Sequence, residues 1–323
     1  MASDIMTHPV EALTLDHSVK GFLSFMQVHR VRHAPVVDYP QGRHAEPEFI
    51  GVVSQRDVLR LSSSSGSGKL LPEPDPNALR QLLSRVVTRN AQTVEPNTSI
   101  AQAVATMLDL HIDMLPVVVD RKVLGIITTT DLLRMIVRTA ETIEEACVRQ
   151  THQKNVTVWA ESEDGDRSRL GIFVKQTVEG IMARNLITMS PNQTLGEAVH
   201  TLQEHKLRHV PIVNEEGHLV GILSDRDVLR HLPYQRHGLH TPSGKFREDL
   251  FRVEGNRSVL NQRIEGIMTT KVVTIRPNCP VIEAAMILMK KKIGILPVLD
   301  SQDQMVGILS VLDLLGIARS VVE

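Results

Sequence analysis

Aromatic side chains are scarce: six phenylalanines, two tyrosines and one tryptophan make up 3% of the 323 residues. Stacking platforms for single-stranded nucleic acid need such rings, and a formal net charge of −1 gives no basic field for a phosphate backbone. Both deficits argue against nucleic acid as a partner. Cysteine is scarce too: Cys147 and Cys279 form no CxxC pair, which argues against a disulfide framework and a thiolate zinc site. No apolar run approaches the ~18 residues of a membrane span. The opening residues, Met1 to Ile5, have neither the basic nor the apolar segment of a secretory signal. Together these absences predict a soluble, cytoplasmic, reducing setting with no membrane partner.

What is present is ordinary in bulk and unusual in order. Hydrophobic residues make up 42% and charged residues 23%, as in soluble globular proteins, so the core must be built from Val, Ile, Leu, Met and Ala. The stretch Gly221-Ile-Leu-Ser224-Asp-Arg-Asp227 recurs as Gly51 to Asp57, Gly125 to Asp131 and Gly307 to Asp313. A second anchor, proline with two aliphatics, stands at Pro35, Pro116, Pro211 and Pro297. Counting back 29 positions from each proline reaches Met6, Val87, Met182 and Met268, three of them in Ile-Met pairs. A fixed ruler used four times means one supersecondary unit used four times.

Within a unit the order predicted is strand, helix, strand, strand, helix. An extended stretch such as Leu186 to Met189 precedes a helix opening at Ser18, Ser99, Thr194 or Pro280, with Thr194 and Glu197 at capping-box spacing. Two β-branched runs around a turn, Asn214 to Gly217 in repeat three, read as a hairpin. The motif hydroxyl then opens a second helix. Repeat one carries a polar insertion, Tyr39 to Pro47, between its hairpin strands. Helical lead-ins are expected at Leu79 to Val87 and Val259 to Ile267. Ser62 to Gly68 and Pro233 to Asn256 read as linker and loop.

These residues resemble tandem cystathionine-β-synthase (CBS) domains. The resemblance implies an α+β fold of four CBS units (β-α-β-β-α) pairing into two Bateman modules. The boundaries expected are 1–62 and 79–138 for the first module, a connector at 139–177, and 178–232 and 259–323 for the second. With no catalytic domain expected at either end, the organisation is similar to the gamma subunit of AMP-activated protein kinase. The function implied is that of a non-catalytic regulatory protein. It would bind AMP, ADP or ATP in clefts between paired units and signal to a regulated partner, with a homodimer as the expected assembly. S-adenosylmethionine, NAD or a cyclic dinucleotide are the alternative ligands, and a ligand-free scaffold is the alternative role. No cofactor or metal is required.

The motif supports that chemistry on its own terms. Ser224 joins a hydroxyl to the free amides of a helix start, a suitable place for a phosphate oxygen. Asp227 can accept from the two ribose hydroxyls, the role the resemblance implies for it. Ser54 with Asp57, Thr128 with Asp131 and Ser310 with Asp313 are the matching pairs. Cations for phosphate come from Arg32, His33 and Arg56 in repeat one and Arg208, His209 and Arg226 in repeat three. The same Ser/Thr-x-x-Asp spacing is also a capping box that needs no ligand. Repeat two has Asp113 and repeat four Gly294 where the others have arginine. Asp131 and Asp313 are thus expected to lack cations of their own, giving one strong site per module. The 14 histidines fit no metal-ligand spacing, and neither a Ser-His-Asp nor a Cys-His arrangement stands out.

Overall fold

The computed structural model describes residues 1–42, 44–61, 80–139, 176–231 and 259–322. The linker at 62–68, the loop at 233–256 and nearly all of the 139–177 connector lie outside the described residues. Two compact units emerge. One holds Met1–Val10, Gln92–Leu186 and Val273–Glu323; the other holds Glu11–Ala91 and Ile187–Val272. The first therefore contains the bodies of repeats two and four, the second those of repeats one and three.

Repeat one runs from a short helix α1 (Ala2–Ile5) through β1 (Leu13–Thr14), α2 (Val19–His29), β2 (His33–Asp38), β3 (Glu48–Ser54) and α3 (Gln55–Leu61). Repeat two has α4 (Ile100–Leu110), β4 (Met114–Val119), β5 (Lys122–Thr128) and a helix α5 over 129–139. Repeat three has α6 (Leu195–Glu204), β6 (His209–Val213), β7 (Leu219–Ser224) and α7 (Asp225–His231). Repeat four has α8 (Val281–Lys291), β8 (Ile295–Leu299), β9 (Met305–Ser310) and α9 (Val311–Val322). The helix starts fall where capping chemistry places them: Ser18 and Ser99 accept from Gly21 and Gln102 amides at 3.1 Å, and Thr194 with Glu197 forms a full capping box. Val19, Phe22 and Met26 share the buried stripe of α2.

The expected first strand is nearly vestigial. In repeat one it is the two-residue β1, parallel to β2. In the others it is a single parallel bridge, Val94 to Val117, Met189 to Ile212 and Ile275 to Val298. The amides of Val94, Met189 and Ile275 donate to the carbonyls of Pro116, Pro211 and Pro297 at 3.0 Å, so the proline anchor serves as an acceptor. The helical lead-ins expected at Leu79 to Val87 and Val259 to Ile267 contain the 3₁₀ turns Leu83–Arg85 and Ile264–Gly266, and an unexpected third turn, Val178–Gly180, holds the same place before repeat three. Each is one tight turn because the chain must extend immediately afterwards.

That extension joins the repeats in pairs. Thr7 bridges Ile126 of repeat two, and Thr88 of repeat two bridges Val52 of repeat one. Ala183 bridges Ile308 and Thr269 bridges Ile222, the same exchange between repeats three and four. The lead-in also closes a helix start: the amides of Val19, Leu195 and Val281 donate at 2.9 Å to the carbonyls of Gln81, Gln262 and Gln176, satisfying donors that a helix leaves open.

The motif glycine makes the exchange fit. A Cβ on Gly125 would lie 2.8 Å from Met6 Sδ and 2.9 Å from the Thr7 carbonyl oxygen, and Gly221 and Gly307 meet Met268 and Met182 in the same way. The two ends of the sequence ruler thus touch across repeats. Gly125→Ala should destabilise the chain by about 1–3 kcal/mol through overpacking. Gly316→Ala, in α9 where nothing lies within 4 Å, should be neutral or stabilising by up to about 1 kcal/mol. Urea denaturation of the two variants checks this, and equal effects would dismiss the glycine contact.

Candidate functional site

All four motif turns are built alike, each with its hydroxyl residue ending a hairpin strand and its aspartate in the first turn of the next helix. Ser54 Oγ donates to Asp57 Oδ2 at 2.6 Å and the Ser54 amide to the same oxygen at 2.7 Å. The hydroxyl and amide distances are 2.6 and 2.9 Å for Thr128–Asp131, 2.6 and 3.0 Å for Ser224–Asp227, and 2.7 Å each for Ser310–Asp313. The amides of Asp131, Asp227 and Asp313 donate back to the hydroxyls at 3.2–3.3 Å. The capping box is therefore formed, and the hydroxyl's proton is directed at the carboxylate.

The box occupies Oδ2 and leaves Oδ1 to other donors. At Asp131, Thr7 Oγ1 donates from 3.4 Å and Arg134 Nη1 from 2.9 Å. At Asp227, Arg230 Nη1 donates from 3.4 Å. Both carboxylates are buried, at 7% and 9% exposure, while the two arginines are about half exposed. A ribose diol could replace those guanidiniums at Oδ1 without breaking the box. Arg134 corrects the expectation that Asp131 lacks a cation of its own. The signal was in the sequence, since Arg60, Arg134 and Arg230 all stand three residues after the motif aspartate; repeat four has Gly316 there. Thr7 carried no such signal, because it reaches Asp131 only through the lead-in exchange.

The cations of repeats one and three, expected to serve two separate sites, share one neighbourhood in the second unit. Histidines 33 and 209 open β2 and β6 opposite Ser54 and Ser224 in the ladder. Burial, then the charges of Arg208, Arg32 and Arg56, hold His33 down to about 3. Burial, then Arg32, Arg208 and Arg226, hold His209 down to about 3. Arg208 is lowered to about 9 by burial and then by Arg56 and Arg32, with Asp225 opposing. Arg226 is lowered by burial and next by Arg32. Side chains that depress one another across repeats form a single cationic cluster, and α3 and α7 pack together beneath it. Arg56 Nη2 also donates to the Lys206 carbonyl at 3.2 Å, and Gln203 Nε2 to the Leu59 carbonyl at 3.1 Å. Four guanidiniums, two neutral imidazoles and the carboxylates of Asp57, Asp225 and Asp227 share this neighbourhood, a site to which an anion could be drawn.

Thr128, Asp131, Ser310 and Asp313 belong to the first unit. Among the described residues no group of three or more His, Cys, Asp or Glu could hold a metal ion, and no helix is long and apolar enough to cross a membrane.

The profile of the CBS domain matches the chain four times, at residues 2–64, 83–138, 178–234 and 264–320. The chain belongs to the CBS-domain family. It is 22% identical over 303 residues to the uncharacterized protein MJ1225 of Methanocaldococcus jannaschii, covering 92% of this chain and 91% of that one. The crystal structure of MJ1225 superposes with a TM-score of 0.72, at 19% identity over 97% of this chain and 98% of that one. An uncharacterized conserved protein from Pyrococcus horikoshii gives 0.55, at 20% identity over 98% of each chain. A CBS domain-containing protein of Dictyostelium discoideum is 30% identical over 154 residues, 46% of this chain and 96% of its own. These likenesses agree with the α+β fold of four CBS repeats and with the four-repeat organisation.

The buried histidines give a stability signature. Their pKa in the folded protein is about 3, against 6.5 for an unperturbed histidine. Between those values the unfolded chain binds more protons than the folded one. Their contribution is therefore fully present above 6.5 and is lost as pH falls toward 3, at most about 1.4 kcal/mol per pH unit for each histidine. Urea denaturation across that window should show the loss, and the double variant His33→Gln, His209→Gln should flatten it. An unchanged slope in the variant would assign the acid sensitivity to other groups.

Proposed function

We propose that the chain is a regulatory, non-catalytic protein that binds adenine nucleotides (AMP, ADP or ATP) and signals their level to a partner protein. The observation that carries this reading is the cluster of Arg32, Arg56, Arg208 and Arg226 beside the Ser54–Asp57 and Ser224–Asp227 turns. In this reading Asp57 and Asp227 hold ribose hydroxyls through Oδ1, and the arginines take the phosphates. His33 and His209, held neutral, offer hydrogen bonds without adding charge. Thr128 with Asp131 and Ser310 with Asp313 would serve nucleoside parts with fewer phosphates. S-adenosylmethionine carries no phosphate to meet the arginines, which favours the nucleotides over it. Support also comes from MJ1225, described with its structure as a candidate archaeal homolog of g-AMPK.

The domain reading proposed with it keeps units 1–62 and 79–138 as one Bateman module and 178–232 and 259–323 as the other. The exchange of lead-ins between repeats one and two, and between three and four, favours it. We propose a cytoplasmic homodimer as the working assembly. The ligand acts as a signal only if it binds one arrangement of the modules better than another.

Titration calorimetry with ATP, ADP and AMP tests the reading. Asp227→Ala should weaken binding by about tenfold or more, the scale of a charged hydrogen bond at about 1.5–3 kcal/mol, with the protein still folded but less stable by about 1 kcal/mol from the lost cap. Undiminished binding would remove Asp227 from the site. A ligand at 100 times its dissociation constant should add about 2.7 kcal/mol to stability. No thermal shift with any nucleotide would favour the scaffold role instead.

A further inference from the structure

The motif aspartates carry the same box on Oδ2 and unequal company on Oδ1. At Asp131 the Arg134 guanidinium donates from 2.9 Å and Thr7 Oγ1 from 3.4 Å. At Asp227 the Arg230 guanidinium donates from 3.4 Å. Each arginine stands one helical turn after its aspartate, the spacing at which helix side chains meet. At Asp313 the same place in α9 is Gly316, and among the described residues nothing donates to Oδ1. Ala183 pairs with Ile308 as Thr7 pairs with Ile126, but it has no hydroxyl to offer. Asp313 is also partly exposed, whereas Asp131 and Asp227 are buried. Three turns of one build therefore differ at the oxygen that a ribose diol would use.

The grip of the arginines is of a kind that a ligand can exchange. Both guanidiniums are about half exposed, so each returns to water when it lets go. An ion pair with so much solvent around one partner is worth at most about fivefold in an equilibrium constant. The carboxylate it leaves is buried and hydrates poorly, so it needs another donor. A diol supplies two.

We propose that the arginine three positions after the motif aspartate, Arg134 in repeat two and Arg230 in repeat three, is a resident competitor for the ribose diol. It raises the concentration at which its turn fills, and the Asp313 turn has no such competitor. This deepens the adenine-nucleotide reading above and rests on it for the identity of the diol. Four turns of one backbone design can then answer to different ligand levels through one side chain each.

Hydrogen exchange of the full chain during titration with adenosine tests this turn by turn, because binding slows exchange of the amides it covers. Adenosine has the diol and no phosphate, so the competition is read without the cationic cluster. Arg134→Gln should lower the adenosine concentration that half-protects residues 128–131 by about fivefold. Arg134→Lys, which keeps a cation within reach, should stay near wild type. Gly316→Arg has room, since no atom lies within 4 Å of where its Cβ would be, and should raise the half-protecting concentration at 310–313 about fivefold. The turns that each variant leaves alone should not move. A half-point at 128–131 that does not fall in folded Arg134→Gln overturns the proposal, as does an equal shift at every turn or an Arg134→Lys protein that behaves like Arg134→Gln. If Arg134→Gln fails to fold, Gly316→Arg decides, and an unchanged half-point there overturns it. Protection by adenosine that neither variant moves sinks this inference and leaves the nucleotide reading standing. No protection of any turn by adenosine, AMP or ATP sinks both.

Discussion

The contact on which the structure turns is that between a motif glycine and the lead-in of the partner repeat. At Gly125 the space a methyl group would fill holds the Met6 side chain and the Thr7 carbonyl. A hairpin of two strands is too small to be stable alone. Here each one is flanked by its own extended stretch on one side and by the partner's lead-in on the other. Every repeat therefore completes its sheet with a segment of another, and neither member of a pair has a finished sheet in isolation. In three of the repeats a carbonyl beside the same segment accepts from the first amide of the partner's first helix, so one exchange settles both a sheet edge and a helix end.

That exchange also shapes the chemistry of the turns. Thr7 reaches Asp131 because Thr7 pairs in both directions with Ile126, at 2.8 and 3.1 Å. A ribose-sized ligand at Asp131 would therefore touch two repeats at once. A ligand bound at such a turn would be coupled to the seating of the lead-in.

Much of the fold was legible because its signals are local. Helix caps at Ser18, Ser99 and Thr194, the apolar stripe of α2 and the hairpin turn at Asn214 to Gly217 depend on residues within one turn of each other. The reduction of the first strand to a bridge was not legible, since Val94, Met189 and Ile275 each find only one partner and the apolar pattern does not reveal how many. The lead-ins read as helices because their sequence permits one; the extended pairing that follows stops them after three residues. The turns themselves were readable by spacing, and so was the alternative that they cap helices. The meeting of Arg32 and Arg56 with Arg208 and Arg226 was not legible, because no periodicity encodes which repeats share a unit.

The residue pairs at the mouths of the turns explain why four copies of one scaffold need not be four copies of one site. The backbone bond that the residue after the motif hydroxyl donates is constant, from Gln55 to Arg32 through Val311 to Gly294, while the residues it joins are Arg with Gln, Asp with Thr, Arg with Asp and Gly with Val. Packing fixes the glycine, the proline carbonyl and the Ser/Thr–Asp box, since changing any of them disturbs a sheet or a helix start. It places no comparable demand on the charge of the flanking pair, although a buried charge there must still find compensation. Repeat three carries the buried Asp225 at this position and repeat one the buried Gln55. A scaffold that holds geometry constant and lets charge vary can diversify its ligands repeat by repeat without refolding.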